Sequence, residues 1–303
     1  MKIGMVGLGR MGGNMVRRMR RAGLEVVGYS REAEVNRKLA DETGMIPADS
    51  LKDVVAKLDA PRVVWLMLPA GEATDAVAEQ MKQMLQPGDV LVDGGNSHYK
   101  DSQLRAIEMK SAGLSFVDVG TSGGVWGLAN GYSLMVGGEK EAVAHVQPFL
   151  EALAPAPDQG WLHCGPNGAG HFTKMVHNGI EYGMMQAYAE GFALMKGKTE
   201  FDMDLAAIAE VWRNGSVVRS WLLDLTADFL SKDQQLDAIE PFVTDSGEGR
   251  WTVIESVEQG MPAPVMATAL MARFASRGEG DFASRMLAMM RNGFGGHAVK
   301  QRG

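Results

Sequence analysis

Cysteine is nearly absent. Cys164 is the only one in 303 residues, so no disulfide can form within the chain and a reducing compartment is the natural setting. Long apolar runs are missing as well, and no stretch approaches the roughly 20 residues of a membrane-spanning helix. The six histidines include no His-x-x-x-His pair, and a lone cysteine cannot make Cys-x-x-Cys, so the common zinc spacings are not available. Positive charge is in deficit: 30 Lys and Arg stand against 37 Asp and Glu, a net charge of −7. That balance removes the electrostatic reason to expect nucleic acid or an anionic membrane as partner. It also obliges any anionic substrate to find a local cluster of arginine and lysine. There is no internal repeat and no low-complexity segment. The start of the chain runs straight into a strand-like segment, without the apolar region and small-residue cleavage site of a signal peptide. The expectation is a cytoplasmic protein.

What is present is a globular composition, 46% apolar and 22% charged. The length suits one large domain or two ordinary ones. The 22 methionines fall mostly at apolar helical positions, where core filling accounts for them.

The first half alternates strand and helix. Lys2-Ile3-Gly4-Met5-Val6 leads at once into Gly7-Leu8-Gly9-Arg10-Met11-Gly12, and Asn14–Arg21 beyond it reads as a helix. Strand, G-x-G-x-x-G turn, helix is the context in which this motif binds a dinucleotide. The first glycine permits the tight turn, the second admits a pyrophosphate, and the third allows close packing of strand and helix. The helix N-terminus supplies N–H donors to the anion. The alternative is a tight structural turn. The next strand, Glu25–Tyr29, ends in Ser30-Arg31-Glu32. An NAD site usually has Asp or Glu at that strand end for the ribose 2′-hydroxyl. Here Ser30 stands there, and Arg31 can pair with a 2′-phosphate, which favours NADP over NAD. Glu32 would serve an NAD site if the strand ended one or two residues later. Further strands are expected at Arg62–Pro69, Asp89–Asp93, Leu114–Val119, Ser133–Val136 and Gly160–Cys164. Several end in small, Gly-rich turns: Pro69-Ala70-Gly71-Glu72, Gly94-Gly95-Asn96-Ser97 and Gly120-Thr121-Ser122-Gly123-Gly124. The crevice at the strand ends is where open α/β sheets bind ligands.

After Gly165 the alternation stops, and helical periodicity takes over: Phe172–Lys196, Leu205–Asn214, Ser220–Leu230, Trp251–Gln259, Pro264–Arg277 and Phe282–Arg291. The predicted architecture is an α/β chain. A Rossmann-like, doubly wound dinucleotide-binding domain over residues 1–166 precedes an all-α substrate and dimerisation domain over 167–303. Asp245–Arg250 reads as a loop before a helix, and Arg291–His297 as a Gly-rich tail. In the long helix, Lys174, His177, Asn178 and Glu181 fall at i, i+3, i+4 and i+7. This puts a potential base, an imidazole, a carboxamide and a potential acid on one face. The plain alternative is a solvated polar face.

These residues, taken with Asp93-Gly94-Gly95-Asn96-Ser97, Gly249-Arg250-Trp251-Thr252 and Arg273, resemble the 6-phosphogluconate dehydrogenases in their short form. That group lies within the β-hydroxyacid dehydrogenase superfamily. The resemblance spans nearly the whole chain. It implies oxidative decarboxylation of 6-phosphogluconate to ribulose 5-phosphate in the pentose phosphate pathway, with NADP or NAD as cofactor and no metal. It implies Lys174 as the base and Glu181 as the acid that protonates C1. Asn96, Ser122, Gly123, Gly124, His177 and Asn178 would hold carboxylate and hydroxyl groups. Tyr182, Arg273, Arg291 and His297 would hold the phosphate, the last two from a neighbouring subunit of a homodimer or homotetramer. For the cofactor it points to Gly7, Leu8, Gly9, Arg10, Met11, Gly12, Ser30, Arg31, Leu68, Pro69, Ala70 and Asn96. Two departures stand out. Ser246 and Glu248 replace the Lys and Thr that long forms offer the phosphate, and Val125-Trp126 replaces acidic residues after Gly124. Glu248 should repel a phosphate, so this loop is expected to be arranged differently. The alternatives are another β-hydroxyacid dehydrogenase, such as one for 3-hydroxyisobutyrate, or a dinucleotide-binding sensor without turnover.

Overall fold

In the computed structural model of the chain, residues 1–244, 246–278, 280–295 and 298–300 are described. The chain divides into two compact units, Met1–Val176 and His177–Gly303.

The first unit is an eight-stranded sheet. Its elements are β1 (Lys2–Val6), α1 (Arg10–Arg21), β2 (Glu25–Tyr29), α2 (Ala33–Thr43), β3 (Ile46–Pro47), α3 (Leu51–Ala56), β4 (Val63–Leu66), α4 (Glu72–Met84) and β5 (Val90–Asp93). There follow α5 (Tyr99–Ser111), β6 (Ser115–Ser122), α6 (Gly127–Asn130), β7 (Ser133–Gly138), α7 (Lys140–Leu153) and β8 (Trp161–Gly165). The strand order is β3-β2-β1-β4-β5-β6-β7-β8. The order reverses between β1 and β4, the switch point that opens a crevice at the strand ends. Period-two burial explains the near-continuous apolar strands. Val63, Trp65, Val90 and Val92 join one core with Met15 and Met19 of α1 and Phe149 of α7. Their neighbours Val64, Leu66 and Leu91 join a second core with Val54, Met81 and Met109 from α3, α4 and α5. Both faces are covered, as a parallel sheet requires. All pairings are parallel except β6–β7, which is antiparallel, with β8 then parallel to β7.

The helix α8 (Ala169–Gly197) runs across the division between the units. The second unit continues with α9 (Leu205–Arg213), α10 (Trp221–Leu230), α11 (Glu248–Glu258), α12 (Pro264–Ser276) and α13 (Asp281–Gly295). No strand occurs here among the described residues. Ser220 caps α10 and Asp204 caps α9, each accepting from a backbone N–H three residues on. Phe192, Leu205, Ala209, Leu223 and Leu230 form one core, and Tyr182, Ala269 and Leu270 a smaller one.

Differences from the sequence-based expectation are local. The two-residue strand β3 carries too little pattern to be seen. α1 starts at Arg10 rather than Asn14, α11 starts inside the expected loop, and α13 continues through Arg291 to Gly295.

Candidate active site

The glycine turn after β1 has three glycines with different reasons to be glycine. Gly7 adopts φ +96°, and a Cβ there would lie 2.3 Å from the Met67 carbonyl oxygen. A Cβ on Gly12 would lie 2.0 Å from the Gly7 oxygen, so strand and helix meet only because both lack side chains. Gly9 is different: among the described residues, nothing beyond its chain neighbours lies within 4 Å of its would-be Cβ. The fold itself does not require glycine at that position, and the space it leaves lies at the N-terminus of α1. Its N-cap is Gly9, which has no side chain to cap the helix, and no acidic residue sits in its first turn. Backbone donors and dipole are thus available to an anion, and the turn fits a dinucleotide pyrophosphate. Leu8 is buried beneath it, Met11 packs on the core and Arg10 is exposed.

β2 ends at Tyr29, so Ser30 is the first residue beyond the strand. Asn36 holds it there. The Ser30 N–H donates to Asn36 Oδ1 at 2.7 Å, and Asn36 Nδ2 donates back to the Ser30 carbonyl at 2.9 Å. Arg31 is exposed, and Glu32 is taken up as the residue before α2. On the β4 side, the Pro69 carbonyl accepts from Thr74 Oγ1 at 2.8 Å, tying the Leu68-Pro69-Ala70 turn to α4.

A second turn, Gly94–Ser97, is fixed from below by Asp93. Its fully buried carboxylate accepts from Gly95 N at 3.0 Å, Ser97 Oγ at 2.8 Å and Arg105 Nη1 at 3.0 Å. Arg105 also donates to Asp75 through Nε at 2.9 Å and Nη2 at 2.7 Å. A buried charge needs partners of this kind. The first turn of α4 and the end of β5 are thereby joined through one guanidinium. Asn96 itself adopts φ +52°. Its amide pairs both ways with Thr121, donating to the carbonyl at 3.0 Å and accepting from the N–H at 2.7 Å. This side chain continues the ladder between the ends of β5 and β6. Ser122, Gly123 and Gly124 follow directly, with Gly123 at φ +127° and Gly124 at φ +51°.

Lys174 is placed by the start of α8. Asp118, fully buried in the middle of β6, accepts from Gly168 N at 2.7 Å and His171 N at 3.0 Å. A carboxylate satisfies two of the free N–H groups at a helix start and complements its dipole. Glycines set the depth. A Cβ on Gly137 would fall 2.7 Å from Gly170 N, and one on Gly120 would fall 2.3 Å from Lys174 Cβ. The helix therefore presses directly on the backbone of β6 and β7, and Lys174 is 5% exposed.

The second unit carries the next turns of α8. Here His177 Nδ1 lies 3.0 Å from Asn178 Oδ1 and 3.9 Å from Glu181 Oε2. Asn178 Nδ2 donates to Glu248 at the start of α11, and both residues are buried. Glu181 is half-exposed. One turn on, the Tyr182 hydroxyl accepts from Ser246 N at 3.2 Å, and the Arg273 guanidinium lies 3.6 Å from the Tyr182 ring centre. Arg273 also donates to the Thr244 carbonyl at 2.9 Å. Tyr182, Ser246 and Arg273 are thus brought together. Arg291 is exposed on α13, and His297 lies outside the described residues.

Sequence reasoning passed over Asp93, Asp118 and Arg105. A signal existed: Asp93 and Asp118 are charges set within apolar strands, and a charge there must be satisfied by something. Among the described residues no group of three His, Cys, Asp or Glu side chains could hold a metal ion, and no helix is long and apolar enough to cross a membrane.

Residues 2–165 match the family model described as the NAD binding domain of 6-phosphogluconate dehydrogenase, and residues 170–300 match its C-terminal domain. The NAD(+)-dependent, decarboxylating 6-phosphogluconate dehydrogenase of Haloferax volcanii is 43% identical over 303 residues, covering 100% of this chain and 99% of its own. YqeC of Bacillus subtilis is 42% identical over 305 residues, with both chains covered completely. Among solved structures, the Plasmodium falciparum 6-phosphogluconate dehydrogenase, studied with NADP+ and with 6-phosphogluconate, superposes with a TM-score of 0.85 at 29% identity. That match covers all of this chain and 66% of the Plasmodium chain. A 3-hydroxyisobutyrate dehydrogenase from Mycobacterium tuberculosis reaches a TM-score of 0.72 at 22% identity, covering 92% of this chain and 94% of its own, a likeness of fold alone.

Proposed function

From the premise that this chain belongs to the 6-phosphogluconate dehydrogenase family, we propose that it converts 6-phosphogluconate to ribulose 5-phosphate and CO₂. The observation that carries this reading is the placement of Lys174. It is buried on a glycine seam near the end of β6, with Glu181 seven residues further along the same helix.

Bound nicotinamide supplies the hydride acceptor for C3. Lys174 takes the C3 hydroxyl proton as general base. The product is a β-keto acid, and protonated Lys174 then polarises its new carbonyl. Loss of CO₂ leaves an enediol whose C1 receives a proton from Glu181. Seven residues of helix rise about 10 Å, a span that matches the two ends of a short sugar acid. Asn96, Ser122, Gly123, Gly124, His177 and Asn178 hold its carboxylate and hydroxyls. Tyr182 and Arg273 hold the phosphate, joined by Arg291 and His297 from a second copy of the chain. The exposed apolar side chains of α13 (Phe282, Met286, Leu287 and Met289) support such a neighbour. In this reading residues 1–166 bind the dinucleotide and 167–303 bind substrate and the partner copy.

For the cofactor we favour NADP. β2 ends before Ser30, so no carboxylate stands at the strand end, and exposed Arg31 is free to meet a 2′-phosphate. The Haloferax relative is named for NAD(+), which makes the comparison of cofactors part of the test. Steady-state turnover of 6-phosphogluconate is measured with each cofactor, CO₂ is trapped, and 3-hydroxyisobutyrate is run alongside. Lys174→Met should abolish reduced-cofactor formation. Glu181→Gln should lose turnover while still binding substrate. Absence of turnover with both cofactors, or preference for 3-hydroxyisobutyrate, would refute the proposal.

A further inference from the structure

Glu248 stands where the long forms carry a phosphate-binding threonine, yet the residue is only 9% exposed and its carboxylate meets the Asn178 amide. The start of α11 has little freedom to move. A Cβ on Gly249 would lie 2.4 Å from the Tyr182 ring, and one on Gly179 of α8 would lie 2.5 Å from Thr252 Cγ2. Gly247, at φ +94°, turns the chain into the helix. The carboxylate is therefore delivered to Asn178 by packing, and the helix N-terminus favours its negative charge.

We propose that Glu248 is a positioning residue that fixes the hydrogen-bond polarity of the relay Glu248–Asn178–His177, holding His177 as its Nδ1–H tautomer with Nε2 as an acceptor. A carboxamide has nearly the same shape in its two flipped orientations, so only its partners decide which end faces which way. An ionised carboxylate offers acceptors alone and takes the Asn178 NH₂ group. Asn178 Oδ1 is thereby turned to His177 Nδ1, 3.0 Å away. A ring nitrogen facing an acceptor must carry the proton. The nearest Glu181 oxygen, 3.9 Å from the same nitrogen, acts in the same sense. A neutral imidazole has one N–H, so Nε2 is left with its lone pair. It then accepts from a donor, and the hydroxyls of a sugar acid are such donors. That last role rests on the function proposed above; the tautomer does not.

The test is nitrogen-15 NMR of the full chain labelled at histidine, with His177 assigned by its loss in His177→Gln. Wild-type protein should show a protonated Nδ1 and an unprotonated Nε2. In Glu248→Leu no acceptor holds the Asn178 NH₂ group, so the amide can flip and an Nε2–H signal should appear. KM for 6-phosphogluconate should then rise about tenfold, the worth of one hydrogen bond. Glu248→Asp and Glu248→Gln, which keep an acceptor, should be able to retain the wild-type tautomer. An Nε2–H tautomer in the wild type, or a Glu248→Leu spectrum identical to wild type, would overturn the inference. If Glu248→Leu does not fold, the wild-type spectrum still decides. The predicted tautomer in a protein that does not turn over 6-phosphogluconate would uphold the relay and refute the function.

Discussion

Replacing Gly120 by alanine adds one methyl group at the seam between β6 and α8. That methyl would lie 2.3 Å from Lys174 Cβ, 2.8 Å from the Gly170 oxygen and 3.1 Å from Lys174 Cγ. Two carbons make contact at about 3.5 Å, so helix and strand must part by roughly 1.2 Å. The neighbours cannot yield by rotating a flexible tip, because the closest atoms are a Cβ and a backbone oxygen in regular elements. Overpacking of this kind costs about 1–3 kcal/mol. In a domain of this size each kcal/mol lowers Tm by about 2–4 °C, so calorimetry should find a loss of roughly 2–12 °C. The same displacement carries the Lys174 side chain with it. A misplacement of about 1 Å costs on the order of a hundredfold in rate, and that loss should appear in kcat. Dinucleotide affinity, measured by fluorescence titration, should stay within a factor of two or so of wild type, because the glycine turn after β1 is remote from the seam. An alanine variant with wild-type Tm and wild-type kcat would refute the account of how Lys174 is placed.

Gly9→Ala should behave in the opposite way. Among the described residues its methyl meets nothing within 4 Å beyond its immediate chain neighbours, so Tm should hold while dinucleotide affinity falls at least tenfold by titration; unchanged affinity would remove the pyrophosphate from that space. Asp118→Asn keeps the shape but turns a donor toward one of the two N–H groups at the start of α8. A loss of about 1–3 kcal/mol in denaturant unfolding is expected, with kcat reduced, and unaltered stability would mean the helix start is held by something else. Arg31→Ala should lower kcat/KM for NADP about tenfold or more and leave NAD nearly untouched, and equal loss for both cofactors would remove Arg31 from the 2′-phosphate.

Much of the fold was legible because it depends on short-range pattern. The apolar strands, the G-x-G-x-x-G turn and the long helical periods each carry a local signature, and their positions agree with the structure to within a few residues. The antiparallel turn of β7 left no such mark. A strand buried on both faces looks the same in either direction. The site was legible as a set of residue types, Lys174 and Glu181 above all, since a seven-residue spacing on a helix can be read without coordinates. Their supports were not. Asp118 reaches the start of α8 across fifty residues, and Asp75 meets Arg105 across thirty. Glu248 was read as a charge that would repel phosphate. Its burial against Asn178 depends on two helices that meet through Gly179, which sequence spacing does not reveal.

The reversal at β7 also decides which way the chain faces when it leaves the sheet. Six parallel strands end at the same rim, where Gly7 and Asn96 lie. β7 and β8 run the other way, so β8 ends at the far rim and α8 begins there, beside Asp118. The helix then climbs along β6, passing Gly120 with Lys174, toward the rim where β6 finishes at Ser122. Had every strand been parallel, α8 would have started at the ligand rim and carried its first turns away from it. Two inverted strands give the helix a run-up of about 8 Å, the rise from Ala169 to Lys174. The lysine is thereby anchored below the rim before it arrives there, on a stretch of helix already gripped by the sheet.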